Sequence, residues 1–330
     1  MTIAVTGANG HVGSNLCRAL KAQGHHVRAL THHHTTAIRD LDLECIQGDL
    51  LDPSSLPALL QGVDGCFHLA ASISIQGDQS GMVWKINAEG TRNMVNCALE
   101  MQTPRFIHFS SIHALQQHPI DQGIDETRPL VENKGLAYDK SKAEGERIVM
   151  HAVNQGLQAI ILRPTAIIGP ADPEPSLTGK AVLQLLNHQI PALIPGGYDW
   201  VDVRDVVDVA VKAISKGTIG ESYLISGRWA SLKELSGLIS QISARKTPGV
   251  VMPMWLAHVG LPFISLYSRL AGVPPLYRKE TLQIIAEGNR NISHEKAHRD
   301  FGYVPRPLEQ TIGDLLDWFE ERQNTTTFIQ

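Results

Sequence analysis

The sequence predicts an α/β fold, a doubly wound parallel sheet joined to a smaller, mostly helical C-terminal region. Three features predict it. Through the first half, short β-branched runs alternate with longer stretches of helical periodicity, the pattern of parallel strands with helices on both faces. A glycine-rich turn follows the first of these runs directly, where such a sheet begins a helix. After Pro164 the texture changes, and GPADPEPSLTG is dense in proline and glycine, which marks a loop or boundary.

Taken in order, the strand candidates are TIAVTG, HHVRAL, LECIQGD, DGCFHLA, RFIHFS and QAIILRP. Helical periodicity covers roughly 11–22, 54–61, 81–101 and 137–155 between them. Beyond Pro164 helical patterns dominate, with strand-like interruptions at DWVDV and ESYLIS. These patterns give a large domain over 1–165, to which 200–228 returns. Residues 166–199 and 229–330 form a smaller domain closing over the crevice at the strands' carboxyl ends. The tail NTTTFIQ reads as frayed.

The 330 residues are 43% hydrophobic and 19% charged, with a formal net charge of -4. That balance excludes the basic footprint of a nucleic-acid binder. Cys17, Cys45, Cys66 and Cys97 are far apart in apolar stretches, which predicts buried, reduced thiols and a cytoplasmic setting. The chain opens directly into a strand pattern, so no secretory signal is expected. The apolar segment 253–273 is broken by Pro262 and carries His258 and Arg269. It reads as a helix pair or lid over a substrate site, and no membrane partner is expected.

VTGANGHVG places Gly7, Gly10 and Gly13 three apart, with Asn9, His11 and Val12 between them. The first glycine permits a tight turn, the second lets the backbone approach a pyrophosphate, and the third allows close helix–strand packing. A helix N-terminus there offers free N–H groups to phosphate. The predicted fold is therefore Rossmann-type. In AYDKSKAEGER, Tyr138 and Lys142 share one helix face. A phenol exchanges protons poorly near neutrality unless a cation stabilises its phenolate, and an ammonium one turn away supplies that field. FIHFSSIHAL ends a strand at Ser110 and Ser111, whose hydroxyls can orient a carbonyl.

Together TGANGHVG, FHLAA, INAEGTRN, FSSI, YDKSK and LRPTAIIGP resemble the extended short-chain dehydrogenase/reductase superfamily. WVDVRDVVDVAV and ISHEKAHRDFGYVPRPLEQTI are most similar to its dihydroflavonol-reductase and 3β-hydroxysteroid-dehydrogenase branch. The resemblance runs in order from residue 2 to about 320. It implies Tyr138 as catalytic acid/base, Lys142 as its electrostatic partner and ribose clamp, and Ser111, rather than Ser110, as the carbonyl-orienting hydroxyl. It further implies Asp49 at the adenine amino group with Leu50 beside it. Leu69, Ala70 and Ala71 would line the cofactor groove with Ser110, Pro164 and Ile167 would flank the nicotinamide, and Asn87 matches the pattern's asparagine. A homodimer through the helices near 81–101 and 137–155 is also implied.

The implied activity is NAD(P)-dependent hydride transfer to or from a ketone, aldehyde or alcohol. A nucleotide-sugar epimerase or dehydratase with tightly bound NAD and a non-catalytic cofactor sensor remain as alternatives. The second strand ends at Thr31 and His32 with no acid until Asp40. Nothing there repels a 2′-phosphate, so NADP(H) is favoured over NAD(H). The run His32, His33, His34 is not read as a metal site, because adjacent residues converge poorly on one ion and no further ligands complete a shell. Ile73, His113 and Trp200 are the substrate-side candidates, with Ile75, Trp84, Trp255, Phe263 and Tyr267 as further contributors. They predict a fairly apolar small molecule, since no Arg/Lys cluster awaits a diphosphate.

Overall fold

A computed structural model describes residues 1–32, 35–73, 78, 80–132, 135–257, 259, 282, 285–286 and 288–327. Seven parallel strands form the main sheet. They are β1 (Thr2–Thr6), β2 (His26–Thr31), β3 (Glu44–Gln47), β4 (Gly65–His68), β5 (Phe106–Phe109), β6 (Ala159–Pro164) and β9 (Ser222–Ile225). Their order is β3-β2-β1-β4-β5-β6-β9. Sequence order reverses between β1 and β4, so a crevice opens at their carboxyl ends.

The helices are α1 (His11–Ala22), α2 (Gly90–Glu100), α3 (Ala137–Val153), α4 (Leu177–Leu186), α5 (Val203–Lys216), α6 (Leu232–Ser243), α7 (Glu295–Phe301) and α8 (Leu308–Thr327). The sheet is apolar on both faces, as parallel sheets are when helices cover each side. On one face Ile3, Val5, Ile107 and Ile160 pack with Leu16 and Leu20 of α1, Val206 and Ala210 of α5, and Phe301 of α7. On the other, Ala4, Cys66, Phe106 and Ile161 pack with Met94 and Val95 of α2 and Ile148 and Val149 of α3. Each cluster buries an amphipathic stripe that the sequence shows at helical spacing.

Several local expectations are corrected. The segment 54–61 holds only a 3₁₀ turn, Pro53–Ser55, and a four-residue helix, Pro57–Leu60, because two prolines break the run. The helix before α2 contains a π-helical stretch, Lys85–Glu89. The smaller C-terminal region carries its own sheet, β10-β8-β7, from β7 (Ala166–Ile168), β8 (Gly197–Asp202) and β10 (Arg228–Ser231). Of these, β8 contains the strand-like DWVDV run, whereas β7 and β10 are too short to show periodicity. In the tail, expected to be frayed, the described residues 324–327 continue the last helix, and 328–330 lie outside the described residues. Cys45 is exposed on the edge strand β3, whereas Cys17, Cys66 and Cys97 are buried, and all four are free. Among the described residues no helix is long and apolar enough to cross a membrane.

Candidate active site

The turn after β1 is shaped by steric exclusion. Gly7 has φ +72, and a Cβ there would lie 2.7 Å from the Ala70 nitrogen. A Cβ on Gly13 would lie 2.0 Å from the Gly7 oxygen, so α1 sits against the turn more closely than any other residue allows. Gly10 is the N-cap of α1 with no side-chain cap, and no acidic residue occupies the first turn. The helix thus presents uncapped N–H groups and its positive dipole end to the crevice. A dinucleotide pyrophosphate fits this cradle. His11 and Asn15 reach across from α1 to the Pro170 and Ala171 carbonyls, at 3.1 and 3.0 Å. They strap the loop after β7 beside the cradle.

Ser111 follows β5, while Tyr138 and Lys142 lie on α3, and all three line one cleft with Gly7, Gly10, His11, Val12 and Gly13. Ser111 Oγ accepts the His113 N–H, capping a 3₁₀ turn, and hydrogen-bonds Tyr138. Burial pushes the Tyr138 hydroxyl up from 10.0 to about 12, the Ser111 bond pulls it down, and the Asp139 charge raises it. The ammonium field expected from the i, i+4 spacing is not among these causes. Lys142 Nζ donates instead to the Phe109 carbonyl, at 2.8 Å, and burial draws its ammonium down from 10.5 to about 8. The cleft measures about 1870 Å³, more than the roughly 300–1,000 Å³ of one ligand pocket. It has room for a cofactor and a second molecule, and the arrangement can pass a proton at one oxygen beside that molecule.

Residues 3–226 match the model of the NAD dependent epimerase/dehydratase family. This chain belongs to that family. It is 32% identical to "Sterol demethylase protein B" of Methylococcus capsulatus, over 98% of this chain and 99% of that one. It is 30% identical to "2-alkyl-3-oxoalkanoate reductase" of Stenotrophomonas maltophilia, over 93% and 95%. The crystal structure of gox2253 superposes with TM-score 0.83 at 33% identity, covering 98% of each chain. Membership in the family, which is that of the extended short-chain dehydrogenases/reductases, implies an NAD(P) cofactor and an oxidoreductase.

Within this family member, Leu69, Ala70, Ala71, Ser110, Pro164 and Ile167 also line the cleft, along with the substrate-side candidates Ile73, His113 and Trp200. Ser110 Oγ is buried without a hydrogen-bond partner. Ile73 is exposed, whereas Trp200 is buried and its indole N–H donates to the Ala230 carbonyl. His113 Nδ1 lies 3.4 Å from Asp139 Oδ1, and its ring meets Tyr138 edge-on. Trp84 and Trp255 are exposed and do not line the cleft. Ile75, His258, Pro262, Phe263, Tyr267 and Arg269 lie outside the described residues, as do His33 and His34.

Other sequence candidates are held away from the cleft. Asn9 Oδ1 accepts the Ala37 N–H and pins the segment after β2. Asn87 is buried; its amide joins Ser72 in both directions and donates to Ser141 Oγ, so it is a peg between chain segments. The Thr31 hydroxyl, expected to face a phosphate, is buried and donates to the Ile46 carbonyl. His32 is exposed beside Asp49, at 3.5 Å, while Asp49 Oδ1 accepts the Leu51 N–H. Leu50 is buried and lies against Gly90. Among the described residues no cluster could hold a metal ion.

Sequence reasoning missed Asp199. It lines the cleft, 7% exposed, and its Oδ1 accepts both the Thr165 hydroxyl and the Gly227 N–H at 2.7 Å. Burial raises its carboxyl, against the pull of those two hydrogen bonds. The signal available was an acid inside the strand-like run DWVDV, which a strand buried on both faces does not tolerate without partners.

Proposed function

We propose that this protein reduces a fairly apolar ketone or aldehyde, or oxidises the matching alcohol, with NADP(H) as the favoured cofactor. The observation that carries the reading is the convergence of Ser111, Tyr138 and Lys142 in a largely apolar-lined cleft that also contains the glycine cradle. When bound, the nicotinamide supplies or accepts the hydride. The uncapped start of α1 holds the pyrophosphate, and Pro164 and Ile167 flank the reacting ring. Ser111 orients the substrate oxygen toward Tyr138. The Tyr138 hydroxyl, protonated at neutral pH at its ordinary value and pushed higher by burial, acts as the acid in the reducing direction and donates its proton to that oxygen. Lys142, one helical turn away, would stabilise the phenolate left behind once its ammonium turns from the Phe109 carbonyl. Proton transfer of this kind contributes about 10²–10⁴-fold, and positioning adds further acceleration. The sterol and the 2-alkyl-3-oxoalkanoate named for the relatives each join an extended apolar body to an alcohol or carbonyl group, the second also carrying a carboxylate, which supports the substrate class.

The cofactor preference rests on His32, since the Thr31 hydroxyl is committed to Ile46. No acid ends β2 to accept a ribose 2′-hydroxyl and repel a 2′-phosphate. We also propose a homodimer through α2 and α3, where Met101 and Met150 are exposed; sedimentation velocity tests it. The functional test screens NADPH and NADH oxidation against aromatic ketones, aldehydes and steroids with wild type and Tyr138→Phe. The reading expects turnover in the wild type, at higher kcat/KM with NADPH, and loss of nearly all of it in Tyr138→Phe, which still binds cofactor. Unchanged turnover in that variant sinks the assignment. A purified protein that retains NAD and never consumes it net points to an epimerase or dehydratase instead.

A further inference from the structure

Asp199 offers an oxygen to the cleft that no step above uses. Side chains alternate along β8. Tyr198 and Trp200 pack with α4, α6 and α8, while Val201 joins the core of the main sheet. Asp199 shares the side of Val201, facing the carboxyl edge of the main sheet, where Thr165 follows β6 and Gly227 follows β9. Both hydrogen bonds from those residues end on Oδ1. Oδ2 has no hydrogen-bond partner among the described residues, and it is absent from the fully buried, unpartnered atoms. With the side chain lining the cleft, Oδ2 is the atom left open to it.

We propose that Asp199 is a specificity determinant, its Oδ2 accepting a hydrogen bond from a hydroxyl adjacent to the carbonyl of an otherwise apolar ketone. A carboxylate oxygen is an acceptor only, and it binds a donor with charge assistance. In a largely apolar cleft it penalises a ligand that leaves it unpaired. The donor sits next to the carbonyl because Asp199 is tied to Thr165, which directly follows Pro164, the residue assigned to flank the nicotinamide. The inference rests on the carbonyl-reductase reading.

Asparagine separates recognition from structure. Asp199→Asn keeps Oδ1 as acceptor for Thr165 and Gly227 and replaces only Oδ2, by an NH₂ donor. The measurement is calorimetric binding of benzoin and of deoxybenzoin, the same diaryl ketone without its α-hydroxyl, to the full chain saturated with NADP⁺ and carrying Tyr138→Phe throughout, so that benzoin's own alcohol is not oxidised during the titration. With Asp199 intact the chain is expected to favour benzoin by about fivefold or more, and Asp199→Asn to bring the ratio of the two dissociation constants close to one. A ratio near one with Asp199 intact, or the same ratio retained in Asp199→Asn, overturns the proposal. If both ketones weaken equally in the variant and its melting temperature falls, Asp199 is a structural tie and the proposal fails. If NADP⁺ affinity falls while the ratio stands, Oδ2 serves the nicotinamide amide and the proposal also fails. Binding of neither ketone with Asp199 intact sinks the apolar-ketone reading as well, an outcome distinct from equal binding of both.

Discussion

Replacing Lys142 by methionine removes a buried charge and keeps most of the stem, so the stability change should depend on pH in a direction the structure specifies. Lys142 is 5% exposed, and burial draws its ammonium from 10.5 down to about 8, with Glu146 acting the other way. The folded chain therefore releases this proton before the unfolded chain does. Between about 8 and 10.5 the unfolded state binds more protons, so rising pH stabilises the fold across that window. That gain is lost as pH falls through about 8. A tenfold change in an equilibrium is about 1.4 kcal/mol, so the charged lysine costs the fold about 3 kcal/mol near pH ~7 and about 1 kcal/mol near pH ~9.5. Wild type should gain about 2 kcal/mol relative to Lys142→Met between those two pH values. The hydrogen bond to the Phe109 carbonyl, lost in the variant, contributes a nearly constant offset that cancels in this difference. Tyr138 does not interfere, because a hydroxyl raised from 10.0 to about 12 loses its contribution only as pH rises through that higher window. Urea unfolding of both proteins, followed by tryptophan fluorescence at both pH values, measures the difference. Parallel shifts agreeing within about 0.5 kcal/mol would show a solvated ammonium and refute the reasoning.

Gly13→Ala drives a methyl to within 2.0 Å of the Gly7 oxygen; it should cost about 1–3 kcal/mol in thermal unfolding and weaken NADPH binding, read by fluorescence titration. Arg163→Met leaves Glu146 buried without the guanidinium that now holds it at 2.6 and 2.9 Å, and should lower urea stability by about 3–5 kcal/mol. Ser111→Ala removes the hydrogen bond that pulls the Tyr138 hydroxyl down; phenolate absorbance, with Tyr138→Phe as the reference, should show Tyr138 ionising at higher pH. His32→Glu places an acid at the end of β2 and should move the kcat/KM ratio toward NADH, whereas an unchanged ratio removes His32 from cofactor selection.

Much of this architecture is legible without coordinates because its determinants are local. Strand runs such as TIAVT and AIILRP, and helices such as α1 with Leu16 and Leu20 facing the sheet, follow from side-chain period alone. So does the glycine cradle, whose function depends on a turn and a helix start adjacent in sequence. The one-face placement of Tyr138 and Lys142 follows from helix geometry. Where reading was harder, the elements were short or irregular. β7 has three residues and β10 four, too few for a period to show, and the π-helical stretch before α2 has no signature distinct from an ordinary helix.

By itself the sequence determined the alternation of strands and helices, the glycine turn at a helix start and the placement of Tyr138 and Lys142 on one helix face, because each depends on residues within a few positions of one another. Only the tertiary structure decided what each polar group is left free to do. It committed the Thr31 hydroxyl to Ile46, Asn87 to Ser72 and Ser141, and the Lys142 ammonium to the Phe109 carbonyl. It also brought Asp199 to the cleft through Thr165 and Gly227. The reason is physical: burial and long-range hydrogen bonding set which donors and acceptors are spent and how far each proton equilibrium moves. Neither quantity exists until distant segments meet.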